Sequence, residues 1–334
     1  MKDYVPRSMP AFAVLIATLS LASASSAQVA AGATRGWSAP RTPWGDPDLG
    51  GIWTNTTTTP FERPKEFGQR EFLTKEEFQK ALEHAKKREE DAKNPRDATP
   101  RTDGPEFWYE HHGKISNRTS QIADPPDDQL PPLARDAAKR RPVGTTNRAD
   151  FDTWEDLSTW DRCITRGLPG SMLPTFYNNN YQILQSPGYV VILYEMIHDA
   201  RVIPVDGRAH LPSTVRQWMG DSRGHWEGST LVVEVTNFTN QTAVHPVRSI
   251  ASTVRHTEDL RVVERFTRVD ADTIEYEFTV DDPKTFARSW TARLPMTRNG
   301  APDSILEYAC HEGNHAIANA LSGSRAKERK AGAR

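Results

Sequence analysis

From Asn180 onward the chain reads as short alternating stretches, each closed by a turn signal. Ile274, Tyr276, Phe278 and Val280 alternate with Glu275, Glu277 and Thr279, so one face of that stretch is dry and the other wet. Strands are predicted at 181–186 and 189–197 across Pro187-Gly188, and at 201–205 before Asp206-Gly207. A hairpin is predicted around Glu227-Gly228-Ser229, with 230–238 as its second strand. Another joins 260–269 to 273–280 through Asp270-Ala271-Asp272, and strands at 290–296 and 305–308 follow. This pattern predicts a mainly β fold over 151–323. The expected architecture is an antiparallel meander that closes into a lipocalin-like barrel or a sandwich.

The first half of the chain has no such rhythm. Residues 28–150 are Pro-rich and read as a segment that wraps the barrel. Trp44 to Trp53 reads WGDPDLGGIW, aromatic anchors between turn residues, with a possible short strand at 51–55. One helix is expected here, over 75–93. Thr74 and Glu77 form a capping box, Leu73 and Phe78 a hydrophobic staple, and Pro95 the stop. Its thin apolar stripe (Phe78, Leu82, Ala85) predicts a surface helix. Phe107-Trp108-Tyr109 and His111-His112 are the notable cluster of the following Pro-rich stretch. The basic residues 324–334 read as a frayed tail.

Residues 1–27 have the form of a secretory signal peptide. Lys2 and Arg7 precede an apolar run from Ala11 to Leu21, and Ser25-Ser26-Ala27 supplies small residues before Gln28. The run is too short for a transmembrane helix, and no later stretch is long enough. A periplasmic or secreted protein is therefore expected. The net charge of −2 leaves no basic field for nucleic acid. The sequence sets no oligomeric state.

Only two cysteines occur, Cys163 and Cys310. In an oxidising compartment they most simply form one disulfide, closing a loop of about 150 residues for roughly 4–5 kcal/mol in the chain-entropy model. Two inert buried thiols or a shared functional site are the alternatives.

WGDPDLGGIW is one of several motifs that occur together. Arg118-Thr119-Ser120 with Asp124-Pro125-Pro126-Asp127 is a second, and Arg162-Cys163-Ile164-Thr165-Arg166-Gly167-Leu168-Pro169 a third. Met219 to Gly224 and Tyr308-Ala309-Cys310-His311-Glu312-Gly313-Asn314 complete the set. Over nearly all of its length beyond residue 27, the chain resembles a large family of exported bacterial proteins that carry PDLxGIW, RCxxRGLP and EYACHEGN. The resemblance implies an exported single-unit protein in which both cysteines belong to the shared pattern. It implies no activity.

Several motifs can be weighed for chemistry. His311-Glu312-Gly313-Asn314-His315 matches H-E-x-x-H, which on a helix places two histidines on one face around zinc. Gly313 and Asn314 are poor helix formers, and no third ligand follows closely, so metal binding stands as a fallback only. Gly220 to Gly224 matches G-x-S-x-G with Ser222 as nucleophile, but the flanking pattern is a hairpin rather than strand–turn–helix. Arg162 and Arg166, beside Cys163, could clamp an anion. Tyr194, Glu195, His198, Asp199 and Arg201 fall at the end of the most apolar strand, where His198 could serve as a general base assisted by Asp199 or Glu195. Asn178-Asn179-Asn180 reads as a turn that could also donate hydrogen bonds. No phosphate loop, dinucleotide fingerprint or C-x-x-C occurs, and no cofactor is expected.

Two functions compete on this evidence. The first is an exported enzyme using acid–base chemistry (hydrolysis, isomerisation or elimination) on an aromatic or terpenoid-like molecule in a barrel pocket. His198, Asp199, Tyr194 and Glu195 would be its catalytic groups, with Arg166, Arg201 and Arg162 binding the substrate. The second is a non-catalytic ligand-binding or envelope protein.

Overall fold

The computed structural model describes residues 37–92, 110, 115–140, 151–244, 255–298 and 301–332. The signal-like segment, the 107–109 aromatic cluster and His111-His112 lie outside them.

Ten strands form one antiparallel sheet that nearly closes into a barrel. Its strands are β1 (Gly51–Thr54), β2 (Ile122–Asp124), β3 (Asn180–Ser186), β4 (Tyr189–Tyr194), β5 (Ala200–Pro204), β6 (Asp221–Glu227), β7 (Thr230–Thr236), β8 (Arg261–Asp270), β9 (Thr273–Asp281) and β10 (Trp290–Thr297). The spatial order is β5-β4-β3-β1-β10-β9-β8-β7-β6, with β2 pairing β10 beside β1. Hairpin-connected runs β3–β5 and β6–β10 supply most of the wall, as the alternating pattern predicts.

β1 is the unexpected piece. It comes from the Pro-rich half, yet it sits between β3 and β10 and joins the two runs. The half read as a wrapping segment therefore builds part of the wall. Trp53 of β1 is fully buried; its Nε1 donates to the Leu49 carbonyl at 2.9 Å, and the Arg298 and Arg268 guanidinium groups lie 4.6 and 5.5 Å from its ring. That packing accounts for Trp53, whereas Trp44 at the other end of WGDPDLGGIW is exposed and donates from Nε1 to Asp46 at 3.0 Å.

Every second residue of the strands points inward. Phe266, Tyr276, Phe278 and Trp290 stack in sequence, with ring centroids 4.8–5.6 Å apart, and Phe61 and Phe286 abut Trp290 at 5.8 Å. Burying each such side chain contributes roughly 1.5–3 kcal/mol. These aromatic residues thus pack against one another in the barrel interior.

At the open seam, eight antiparallel steps leave β5 and β6 running in the same direction. No hydrogen-bonded ladder joins them; side chains do. A Cβ on Gly224 of β6 would stand 2.9 Å from Val205 and 3.0 Å from Ile203, so only glycine allows this approach.

Helix α1 (Lys75–Ala92) begins where the capping box places it: the Thr74 amide donates to Glu77 Oε2 at 2.8 Å, and the Glu77 amide to Thr74 Oγ1 at 3.2 Å. Two readings are corrected. Residues 305–308 are not a strand but an extended strap without ladder partners. The basic tail is not frayed up to residue 332: helix α2 (Ala316–Gly332) runs through it. Buried Ser324 of α2 accepts from the Phe151 amide at 2.7 Å, and Arg325 donates to the Phe151 carbonyl at 2.8 Å. Alanine and long charged residues favour helix once such anchors exist.

Candidate functional site at the disulfide-pinned end of the barrel

Cys163 and Cys310 are joined, with Cα atoms 5.7 Å apart. The bond ties the 162–169 loop to the 305–310 strap. Other contacts reinforce it: Asn314 Nδ2 donates to the Asp161 carbonyl at 3.0 Å, and the Leu306 amide donates to Glu195 Oε1 at 3.3 Å.

The turn from β4 to β5 lies under the strap. Ile197 and His198 both take left-handed backbone conformations, φ +66° and +48°, which turns the chain sharply and leaves His198 exposed. His198 Nδ1 is 3.0 Å from the Tyr308 carbonyl. A carbonyl only accepts, so Nδ1 carries the proton and Nε2 of the neutral ring keeps its lone pair. Asp199 is half-buried; one carboxylate oxygen accepts from Thr165 Oγ1 at 3.0 Å, the other from the Ala200 amide at 2.9 Å. Burial raises its pKa, against the lowering effects of those hydrogen bonds and of nearby Arg201 and His198. The Thr165 hydroxyl oxygen also lies 3.2 Å from Met219 Sδ and accepts from the Gly167 amide, so it locks the loop to the turn.

Arg166 points inward from the same loop and is buried. One nitrogen, Nη1, donates to the Leu173 carbonyl at 3.3 Å, and the guanidinium lies 5.2 Å from the Trp160 ring. Nε and Nη2 have no hydrogen-bond partner. Burial brings its pKa down to about 10, against smaller raising effects of the neighbouring Tyr181, Tyr308 and Tyr177. Tyr177 and Tyr308 stack at 6.4 Å. The Tyr181 hydroxyl donates to the Ser171 carbonyl and accepts from Asn55 Nδ2. The asparagine run supports the site from below: Asn179 Nδ2 donates to Glu110 at 2.9 Å, and Asn180 Nδ2 to Glu195 Oε2 at 2.6 Å.

Several candidates do not join this group. Tyr194 is fully buried in the barrel, packed edge-on against Tyr181 at 5.6 Å, and burial raises its pKa far above the usual tyrosine range. That disfavours its anion as a base. Glu195 is buried and occupied by Asn180 and the strap. Arg201 crosses the barrel interior to Glu264, with nitrogen–oxygen distances of 2.5 and 3.0 Å, and the Tyr276 hydroxyl donates to the same carboxylate at 2.8 Å. It holds the wall together and offers no substrate clamp. Arg162 diverges from Arg166: its guanidinium lies 4.9 Å from the Trp154 ring and faces a cavity of about 250 Å³ bordered by Glu155 and Asn240. A neighbouring cavity of about 530 Å³ is bounded by Arg140, His256, Asp259 and Lys284 and contains none of the predicted site residues.

The two sequence motifs for hydrolases take other conformations. Residues 311–315 form a turn with Gly313 at φ +68°, and α2 begins only at Ala316, so His311 and His315 do not share a helix face. Among the described residues no group of three potential ligands could hold a metal ion. Ser222 lies within β6, paired with Val235, and is buried. The elbow geometry is absent.

Thr165 and Tyr308 were not singled out from the sequence. Both stand inside the Arg162–Pro169 and Tyr308–Asn314 motifs, and the cysteines were the signal that these motifs meet. Among the described residues no helix is long and apolar enough to cross a membrane. No family model, curated protein or solved structure matches the chain.

Proposed function

We propose that the chain is an exported enzyme that acts on a small organic molecule at the disulfide-pinned end of the barrel, with His198 as general base and Asp199 as its acidic neighbour. The observation that carries this reading is the anchored ring of His198. Its Nδ1 is fixed on the Tyr308 carbonyl, so the ring presents Nε2 as an acceptor at an exposed position. Hydrolysis, isomerisation and elimination all suit such a base. Asp199, with proton affinity raised by burial, suits the returning acid.

The packed barrel interior favours a second reading, a binding protein without turnover. Tyr194 and Glu195, expected as catalytic partners, are committed to structural contacts.

One experiment separates the two. The mature protein, purified from its own host, is examined by native mass spectrometry for a retained organic molecule, which is identified and offered back in excess. Conversion with a pH profile, lost by about 10²–10⁴ in His198→Ala at unchanged thermal stability, supports the enzyme. Tight retention with no conversion supports the binding protein.

A further inference from the structure

We infer that Arg166 anchors a binding site for a small organic carboxylate. The inference names the ligand class for the same end of the barrel and rests on the reading that a small molecule is handled there.

The other buried arginines of this protein each have an acidic partner. Arg63 is ion-paired to Asp128, Arg201 is bidentate to Glu264, and Arg268 lies 3.7 Å from Asp48. Burying a guanidinium without a counter-charge is unfavourable, and buried charges in proteins are paired as a rule. Arg166 breaks that rule. It is buried like Arg201, yet among the described residues no carboxylate pairs with it, and the one hydrogen bond of its guanidinium is a long one to a carbonyl.

Which nitrogens are idle matters. Nη1 is used; Nε and Nη2 are not. In a guanidinium these two N–H groups lie on one edge and point the same way. That edge is the fork which takes both oxygens of a carboxylate. The ring of Trp160 covers one face of the group and holds the fork in orientation. The nearby acids cannot serve in place of a ligand. Glu110 is bonded to Thr56 and Asn179, and Glu195 to Asn180 and the Leu306 amide. Tyr177 and Tyr308 supply stacked aromatic surface for the organic part. The site adjoins the proposed base through two short routes: Thr165 precedes Arg166 and bonds Asp199, and Tyr308 bonds His198.

The test uses the full mature chain. Acetate, benzoate and cyclohexanecarboxylate are titrated against benzamide and inorganic phosphate, following thermal melting and the Nε–H resonances of the buried arginines. The expected result is stabilisation by one or more of the carboxylates, none by benzamide, and a shift of the Arg166 Nε–H signal. Arg166→Gln and Arg166→Lys each weaken carboxylate binding by at least about tenfold, because lysine keeps the charge and loses the fork. Silence from all three carboxylates, equal binding of benzoate and benzamide, binding of phosphate alone, or unchanged affinity in either variant overturns the site. Should both variants misfold, the wild-type contrast and the Nε–H shift decide. Carboxylate binding at Arg166 without turnover of any compound removes the enzyme and leaves the site. Turnover that needs His198 but shows no preference for carboxylates does the reverse.

Discussion

Arg201 and Arg166 sit in one core and are treated in opposite ways. Arg201 spans the barrel to Glu264, and Tyr276 completes the carboxylate's hydrogen bonds. Arg166, under the strap, has an aromatic face, one carbonyl and two idle N–H groups. The first arrangement closes on itself and makes architecture. The second leaves one edge of a buried guanidinium unpaired, and an unpaired buried charge is where a ligand group can supply the missing partner. The two arginines look alike in sequence, since each follows a small or β-branched residue, Ala200 or Thr165. What separates them is a glutamate 63 positions away from one of them.

The sharpest way to break this comparison is to remove that glutamate. Glu264→Leu should lower stability by about 3–5 kcal/mol in urea unfolding, because it leaves Arg201 buried and alone. Arg201→Met combined with Glu264→Leu should recover most of the loss. A single-variant loss below about 0.5 kcal/mol would show that the barrel tolerates a bare guanidinium, and Arg166 would lose its distinction. The next largest effect belongs to the pin. Cys163→Ser with Cys310→Ser should cost about 2–5 kcal/mol by the same measurement. Arg166→Met comes third and has the opposite sign. Without ligand it should leave stability unchanged or raise it by about 1 kcal/mol, since an unpaired charge is exchanged for an apolar side chain. A loss as large as that of Glu264→Leu would place Arg166 with the structural arginines.

The smallest effect is a pH dependence. Burial raises the Asp199 pKa, so the native state holds this proton to higher pH than the unfolded chain does. Its contribution is favourable below the ordinary carboxylate range and is lost as pH rises through the raised value. Asp199→Asn removes that slope. Relative to wild type, the variant should therefore gain stability as pH rises from the ordinary carboxylate range through the raised value, read by unfolding at several pH values. A difference that stays flat with pH would sink the assignment.

Much of the wall was legible in the sequence. The period-two alternation of Ile274 to Val280 and the turn pairs Pro187-Gly188 and Glu227-Gly228 place β3, β4, β6, β7, β8 and β9 within a few residues. β1 was legible only as a possible strand, because its insertion between β3 and β10 depends on partners more than a hundred residues away. The strap at 305–308 carries apolar residues but finds no ladder, so its pattern misled. The stretch from residue 324 was read as a frayed tail rather than as the end of α2, since its anchors, Ser324 and Arg325, act through Phe151. The site was legible in pieces: the cysteines brought two motifs together, His198 and Asp199 were recognised as polar residues at a strand end, and Arg166 as an anion clamp beside Cys163. That Arg162 turns away, that Arg201 is satisfied across the barrel, and that Thr165 and Tyr308 link the rest are facts of long-range pairing that local pattern does not carry.

The seam between β5 and β6 has a consequence for how the barrel comes apart. An odd circuit of antiparallel steps must end with two parallel neighbours, and here those neighbours share side-chain contacts alone. Half the amides of each edge strand face that gap without a ladder. Hydrogen exchange should therefore start there and spread outward, so that the wall opens like a cuff at its single fastening while β8, β9 and β10 stay protected longest.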